Sequence, residues 1–196
     1  MRVSDCGFRR AVLEIDAALA ADAWDQPPRL YALVGTRQLL EREPALAGSL
    51  GLELGSDGQP AAGLTAVEQD PLPPERPLEE LLVGIEWPDT VDGCAAAVER
   101  LVLPPSAEEA LPDDPASVHT YAATHPERHE VRIVAAALRD GRAYCTLRIR
   151  GRDENDLLEA ADLVPDLVAL VADTLVADGV ADGVADEAAA AGGGGT

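Results

Sequence analysis

The sequence has no lysine: all 15 basic residues are arginine, and against 36 acids they leave a formal net charge of −21. Phosphate binding needs local cation density, so this balance argues against DNA, RNA or an anionic membrane surface as partner. Aromatic residues make up only 3% of 196 positions. A core must therefore come mainly from Ala, Val and Leu, and Trp24 and Trp87 stand out. The three cysteines, Cys6, Cys94 and Cys145, are odd in number and form no C-x-x-C, which speaks against a disulfide framework or zinc ribbon. No apolar run approaches the ~20 residues of a membrane span, and Arg9, Arg10, Glu14 and Asp16 interrupt the N-terminal segment. A cytoplasmic protein with no membrane span and no nucleic-acid partner is expected.

Catalytic signatures are absent as well. There is no H-E-x-x-H, no G-x-S-x-G and no Walker loop, and Gly192 to Gly195 lacks the strand-then-helix setting of a phosphate cradle. Adjacent carboxylates such as Glu79-Glu80, Glu108-Glu109 and Asp113-Asp114 point apart in either regular structure and read as solvated charge. His119, His125 and His129 fall close together beside Glu127 and Glu130; they are either a metal contact or solvated loop residues, and Pro126 breaks the helix that would align two of them. No catalytic residue, metal site or cofactor is expected, and the reading leans away from an enzyme.

Phe8, Val12, Ile15 and Leu19 recur at helical spacing within residues 5–22, with Arg9, Arg10, Glu14 and Asp16 read as lying off that stripe. Trp24-Asp25-Gln26-Pro27-Pro28 then forces the chain out of helix and into an extended run through Val34. Two readings of this motif stand side by side. Trp24, Asp25, Gln26, Arg29 and Tyr31 line a binding pocket, or Trp24 plugs the helix-to-strand junction. Short helices are expected from Arg37 to about Arg42 and from Leu78 to Val83, strands at 64–69 and 94–103, and a helix from Pro115 to about Thr124 capped by Asp114. Residues 50–62 read as a surface turn, 106–115 as an exposed connection, and 153–176 as helical with the main helix starting near Val164. The layout is a single domain over 1–177, followed by a tail at 178–196 whose Ala, Asp and Gly repeats bury too little to fold and predict disorder.

Asp140-Gly141 between two alternating runs predicts a hairpin over 130–151 with a type I′ two-residue turn. That register pairs Arg139 with Arg142, Ala137 with Tyr144, Ala135 with Thr146, Ile133 with Arg148 and Val131 with Arg150. Arg139, Arg142, Tyr144, Thr146, Arg148 and Arg150 then share one face, opposite a core face that holds Cys145. Like charges so placed repel unless anions sit among them, so either acids of the same chain or an anionic ligand or partner neutralises them.

The motifs Trp24 to Val34, Leu78-Glu79-Glu80-Leu81-Leu82 running to Trp87-Pro88, Val98-Glu99-Arg100-Leu101-Val102-Leu103-Pro104-Pro105 and His125-Pro126-Glu127-Arg128 resemble an uncharacterised actinobacterial family of about this length, over roughly residues 7 to 176. The resemblance implies a cytoplasmic protein and transfers no catalytic residue. The element order suits an α+β fold: an antiparallel sheet of about five strands with the N- and C-terminal helices packed on one face. That layout is similar to bacterial secretion-chaperone-like domains, an analogy of fold alone. The expected function is a non-enzymatic protein-binding or chaperone-like module whose partner is another polypeptide or a second copy in a homodimer. The alternative is a small-molecule binder or enzyme with an anionic ligand held by Arg29 or a hairpin arginine in a pocket between the Trp24 motif and the sheet.

Overall fold

The computed structural model describes residues 4–52, 63–73, 75–108, 110–153 and 156–176. The tail and most of the 50–62 turn lie outside these. Ser4 accepts the Gly7 N–H at 3.1 Å and starts helix α1 (Asp5–Ala20), which buries Phe8, Ala11, Val12, Ile15 and Leu19. The proline-directed strand β1 (Arg29–Gly35) follows, then α2 (Thr36–Arg42) and α3 (Pro44–Ser49), where Pro44 takes the first turn and begins a helix of its own. Thr36 does not cap α2; its hydroxyl bonds that of Thr65 at 2.9 Å.

Strand β2 (Leu64–Glu68), α4 (Leu78–Leu82) and the long β3 (Gly93–Val102) lead to α5 (Pro105–Glu108), a single turn inside the expected connection. Helix α6 (Pro115–Thr124) starts as read, with Asp114 accepting the Ser117 N–H at 2.9 Å. The hairpin strands β4 (His129–Leu138) and β5 (Ala143–Ile149) come next. A short β6 (Leu158–Ala160) occupies part of a stretch read as helical, and α7 (Pro165–Asp173) ends the described chain.

The fold is α+β on an open antiparallel sheet of six strands in the order β2-β1-β3-β4-β5-β6. One placement differs from expectation: α1 and α7 cover opposite faces. Cys94, Ala96 and Val98 of β3 and Val131, Ile133, Ala135 and Ala137 of β4 pack with Val171 and Leu175. The alternate residues Ala95, Ala97, Val134, Ala136 and Leu138 pack with Phe8, Val12, Ile15 and Leu19. Both parities of β3 and β4 are apolar, so both faces of the sheet must be covered. Alanine fills these central strands, pairing Ala95 with Ala136 and Ala96 with Ala135, and lets both helices approach closely in a chain short of aromatics.

The hairpin register is shifted by one from the predicted pairing. Ala137 opposes Ala143, Cys145 opposes Ala135, Thr146 opposes Val134 and Arg148 opposes Arg132. A type I′ turn needs left-handed backbone at both Asp140 and Gly141, and only Gly141 has it, at φ 86°. Gly141 donates its N–H to Leu138 O at 3.0 Å and Leu138 donates to Arg142 O at 2.9 Å, which makes a three-residue loop with the glycine at the bulge.

Candidate functional site

The shifted register rearranges the arginine face. Arg142, Tyr144, Thr146 and Arg148 do share the side of β5 that faces α1, and Arg150 continues the row just past the strand. Arg132 of β4 joins them, while Arg139 leaves for the opposite side. Each of these cations is held by the chain itself.

Arg142 binds Asp140 at 2.7 Å and Asp5, at the start of α1, at 2.6 Å; these hydrogen bonds, Asp140 first, raise its pKa. Tyr144 accepts from Arg9 Nε at 2.9 Å and donates to Glu159, and Arg9 reaches the same carboxylate at 2.6 Å. Glu159 is held below the usual carboxylate range by the Tyr144 hydroxyl and then by Arg9. Arg148 grips Asp16 through Nε at 3.0 and 2.9 Å and through Nη2 at 2.5 Å. Asp16 is only 2% exposed, because it falls four residues after Val12 and three before Leu19 and so lies within the buried stripe. The hairpin is thus tied to α1 at Asp5, Arg9 and Asp16.

At the end of α1 the ties converge on the Trp24 motif. Arg132, 4% exposed, donates to Glu99 Oε1 from Nε at 3.0 Å and Nη2 at 2.8 Å, and to the carbonyls of Leu19 and of Ala23, the latter at 2.9 Å. It closes a helix C-terminus that has no basic residue in its own last turn. The Trp24 ring lies against two guanidiniums, with Arg132 Cζ 4.7 Å and Arg150 Cζ 5.6 Å from its centroid. Asp25 adopts a left-handed φ of 69°, uncommon outside glycine; its N–H donates to Glu99 at 2.7 Å and its carboxylate holds Arg150 at 3.0 Å. Arg150 also reaches Glu130. Arg29 binds Asp22 at 2.7 Å and lies 3.7 Å from Glu68, and Tyr31 is buried against α1, with burial raising its pKa.

The two readings of this corner are therefore distinguishable. Trp24 is half-buried and in contact with two arginines, and the space between the motif and the sheet is about 10 Å³, bounded by Gln26, Pro27, Arg29, Glu99 and Arg132. A cavity of that size has room for about one water at most. Arg139 on the far side donates to the carbonyls of Val91, Trp87, Pro88 and Leu175, at 2.8, 2.8 and 3.1 Å for the first three. Beneath it Trp87 Nε1 donates to Thr174 at 3.0 Å, and the buried Cys94 thiol, pushed up to about 11 by burial, contacts the same hydroxyl at 3.2 Å.

Among the described residues, grooves large enough for a partner group lie in two places. One, about 350 Å³, runs between α1 and β2, with Ile15, Ala18, Leu64 and Ala66 on its walls and Arg10, Glu14 and Glu68 at its rim. The other, about 430 Å³, lies where α7 meets β3 and β4, over Val102, Ile133, Leu163, Leu167 and Leu170, beside Arg100. Among the described residues no group of three or more His, Cys, Asp and Glu is placed to hold a metal ion, and no helix is long and apolar enough to cross a membrane.

Sequence reasoning missed Arg132, Glu99, Arg9 and Asp16. Two carried a signal: Arg132 is the one charge inside an otherwise apolar eight-residue run from Val131 to Leu138, and Asp16 sits within the helical stripe.

The chain belongs to the PPA1309-like protein family, whose model matches residues 8–176. The family is uncharacterised, so the motifs that carry the resemblance bring no activity with them. No curated protein and no solved structure matches the chain.

Proposed function

We propose that this member of the PPA1309-like family is a polypeptide-binding module that takes an extended partner segment on the outer edge of β2. The observation that carries the reading is the register of that strand. Gln69 donates to Leu30 O at 2.9 Å and Thr36 donates to Gly63 O at 3.0 Å. Hydrogen-bonded pairs alternate along an antiparallel ladder, so residues 63, 65, 67 and 69 face β1 and Leu64, Ala66 and Glu68 turn their N–H and C=O groups outward. Among the described residues no strand pairs with that edge. The strand carries no proline, lysine or bulge to blunt it, and the α1 groove beside it offers apolar walls for alternate side chains. The arginine row does not support a binding face, since its cations are engaged by acids and carbonyls of the same chain. The net charge of −21 favours a cationic segment by long-range attraction.

Amide exchange tests this with synthetic peptides of about ten residues. Adding a peptide of alternating valine and lysine is expected to slow exchange at Leu64, Ala66 and Glu68, and Ala66→Pro is expected to abolish the effect. That substitution removes an outward N–H, which an edge strand tolerates. Unchanged exchange at all three amides, with both this peptide and one of alternating valine and glutamate, sinks the reading.

The groove under α7 favours a second reading, a small-molecule site. Its volume of about 430 Å³ is within the usual range for ligand pockets. The arginine on its wall is Arg100, held by Glu79 at 2.7 Å, and neither Arg29 nor a hairpin arginine lines it. Thermal shifts with medium-chain carboxylates test it, and Arg100→Gln should remove any shift.

A further inference from the structure

We infer that the groove under α7 takes an apolar α-amino acid, held through the ammonium and the carboxylate that it carries on one carbon. The inference rests on the small-molecule reading of that groove and names the ligand class. Cys94, Ala96 and Val98 of β3 point towards α7, so Arg100 and Val102, farther along the same strand at alternate positions, point the same way. Val102 packs with the core under α7, and Arg100 stands on the groove wall beside it. The floor is apolar, built from Ile133, Leu163, Leu167 and Leu170.

Among the described residues the charges on the walls are Arg100, Glu79 and Asp166. Arg100 donates to Glu79 at 2.7 Å and, at the longer distance of 3.4 Å, to Glu99 O. Burial raises the Glu79 carboxyl, but its own backbone N–H and Arg100 outweigh that and hold it below the usual carboxylate range. The wall thus presents a cation and an anion in contact, 39% and 48% exposed, at the border of an apolar floor. A ligand of one charge meets a conflict there. A carboxylate drawn to Arg100 is repelled by Glu79 and Asp166, and an amine drawn to Glu79 is repelled by Arg100. A zwitterion has neither problem. Its carboxylate lies against Arg100 and its ammonium against Glu79, so that two ion pairs stand side by side with every neighbour of opposite sign. The Arg100–Glu79 contact stays in place, because a guanidinium has five donors and a carboxylate about four acceptor sites. An α-amino acid sets its two charges about as close together as that pair and leaves its side chain for the leucines. A segment inside a polypeptide has no such pair of charges on one carbon.

Calorimetric titration of the full chain at neutral pH tests the inference with three matched compounds: norleucine, hexanoate, which lacks the ammonium, and pentylamine, which lacks the carboxylate. Norleucine is expected to bind about fivefold more tightly than either, the factor that one half-exposed ion pair supplies. In Arg100→Gln pentylamine is expected to overtake norleucine, and in Glu79→Gln hexanoate is expected to draw level with it, with circular dichroism unchanged in both. If either variant fails to fold, the comparison on the native chain decides alone. Hexanoate or pentylamine binding the native chain as tightly as norleucine, or folded variants that keep the native preference, overturns the inference and leaves the small-molecule reading standing. No binding of any of the three, by calorimetry and by thermal shift, removes both.

Discussion

The two ends of β4 solve one problem with different chemistry. At its start Arg132 closes the C-terminus of α1 beside Trp24; past its end Arg139 closes the C-terminus of α7 beside Trp87. Neither helix has a basic residue in its own last turn, so each takes its cation from the hairpin. Arg132 is buried and paired with Glu99, whereas Arg139 is exposed and, among the described residues, bonds carbonyls only. The contrast follows from solvent access: a buried cap needs a carboxylate beside it, and an exposed one leaves that compensation to water.

Removing Arg132 is expected to have the largest effect. Arg132→Met keeps much of the apolar stem but leaves Glu99, 17% exposed at its side chain, without its cation, and two helix-end carbonyls without a donor. Loss of one partner from a buried pair costs about 3 to 5 kcal/mol. Urea unfolding measures it, and a loss under about 1 kcal/mol would show that the α1 corner is held by apolar packing alone.

How much of this was legible in the sequence follows from the same two arginines. The stripe of Phe8, Val12, Ile15 and Leu19, the turn into β1 at Pro27-Pro28 and the Asp114 cap rest on local rules, and the helix, strand and helix stand where those rules put them. The hairpin was legible as a hairpin. Its register was not, because β4 is buried on both faces and its alternation carries no choice of face. The turn alone had to decide, and Asp140-Gly141 fits a two-residue loop as well as a three-residue one. With the wrong choice Arg139 joins the α1 face and Arg132 reads as an ordinary core neighbour. The ion pairs were beyond reach for a different reason: Arg148 and Asp16 are 132 positions apart, and no local pattern records which acid a strand arginine will meet.

The α7 corner has its own signature in pH. Burial holds the Cys94 thiol at about 11 against an ordinary 9.0, with Thr174 and Trp87 opposing the shift. A thiol that is harder to ionise when folded contributes stability in full below pH about 9, and that contribution is lost as pH rises towards 11 while the unfolded chain ionises freely. The loss amounts to on the order of 2 kcal/mol. In Cys94→Ala the slope over this window should flatten. An identical slope in the variant would assign it to other groups.

Arg139→Met should cost less than Arg132→Met, about 1 to 2 kcal/mol, since the carbonyls it releases at Val91, Trp87 and Pro88 can turn to solvent. Equal costs for the two variants would break the contrast between a buried cap and an exposed one.

The tryptophans give the finest separation. Trp87→Phe removes an N–H that satisfies Thr174 and should cost about 1 kcal/mol more than the lost ring area. In Trp24→Phe the stacking of Arg132 and Arg150 is weakened but not removed, because phenylalanine offers the same kind of ring face with a smaller quadrupole. That change should stay under about 1 kcal/mol. Fluorescence makes the comparison direct, since each variant leaves a single tryptophan to report unfolding of its own corner. If the two corners are held together by the one strand between them, fluorescence and circular dichroism should give coincident midpoints within each single-tryptophan variant. A Trp24 signal that moves before the circular dichroism of the same variant would mean that α1, for all its ion pairs, is the looser attachment.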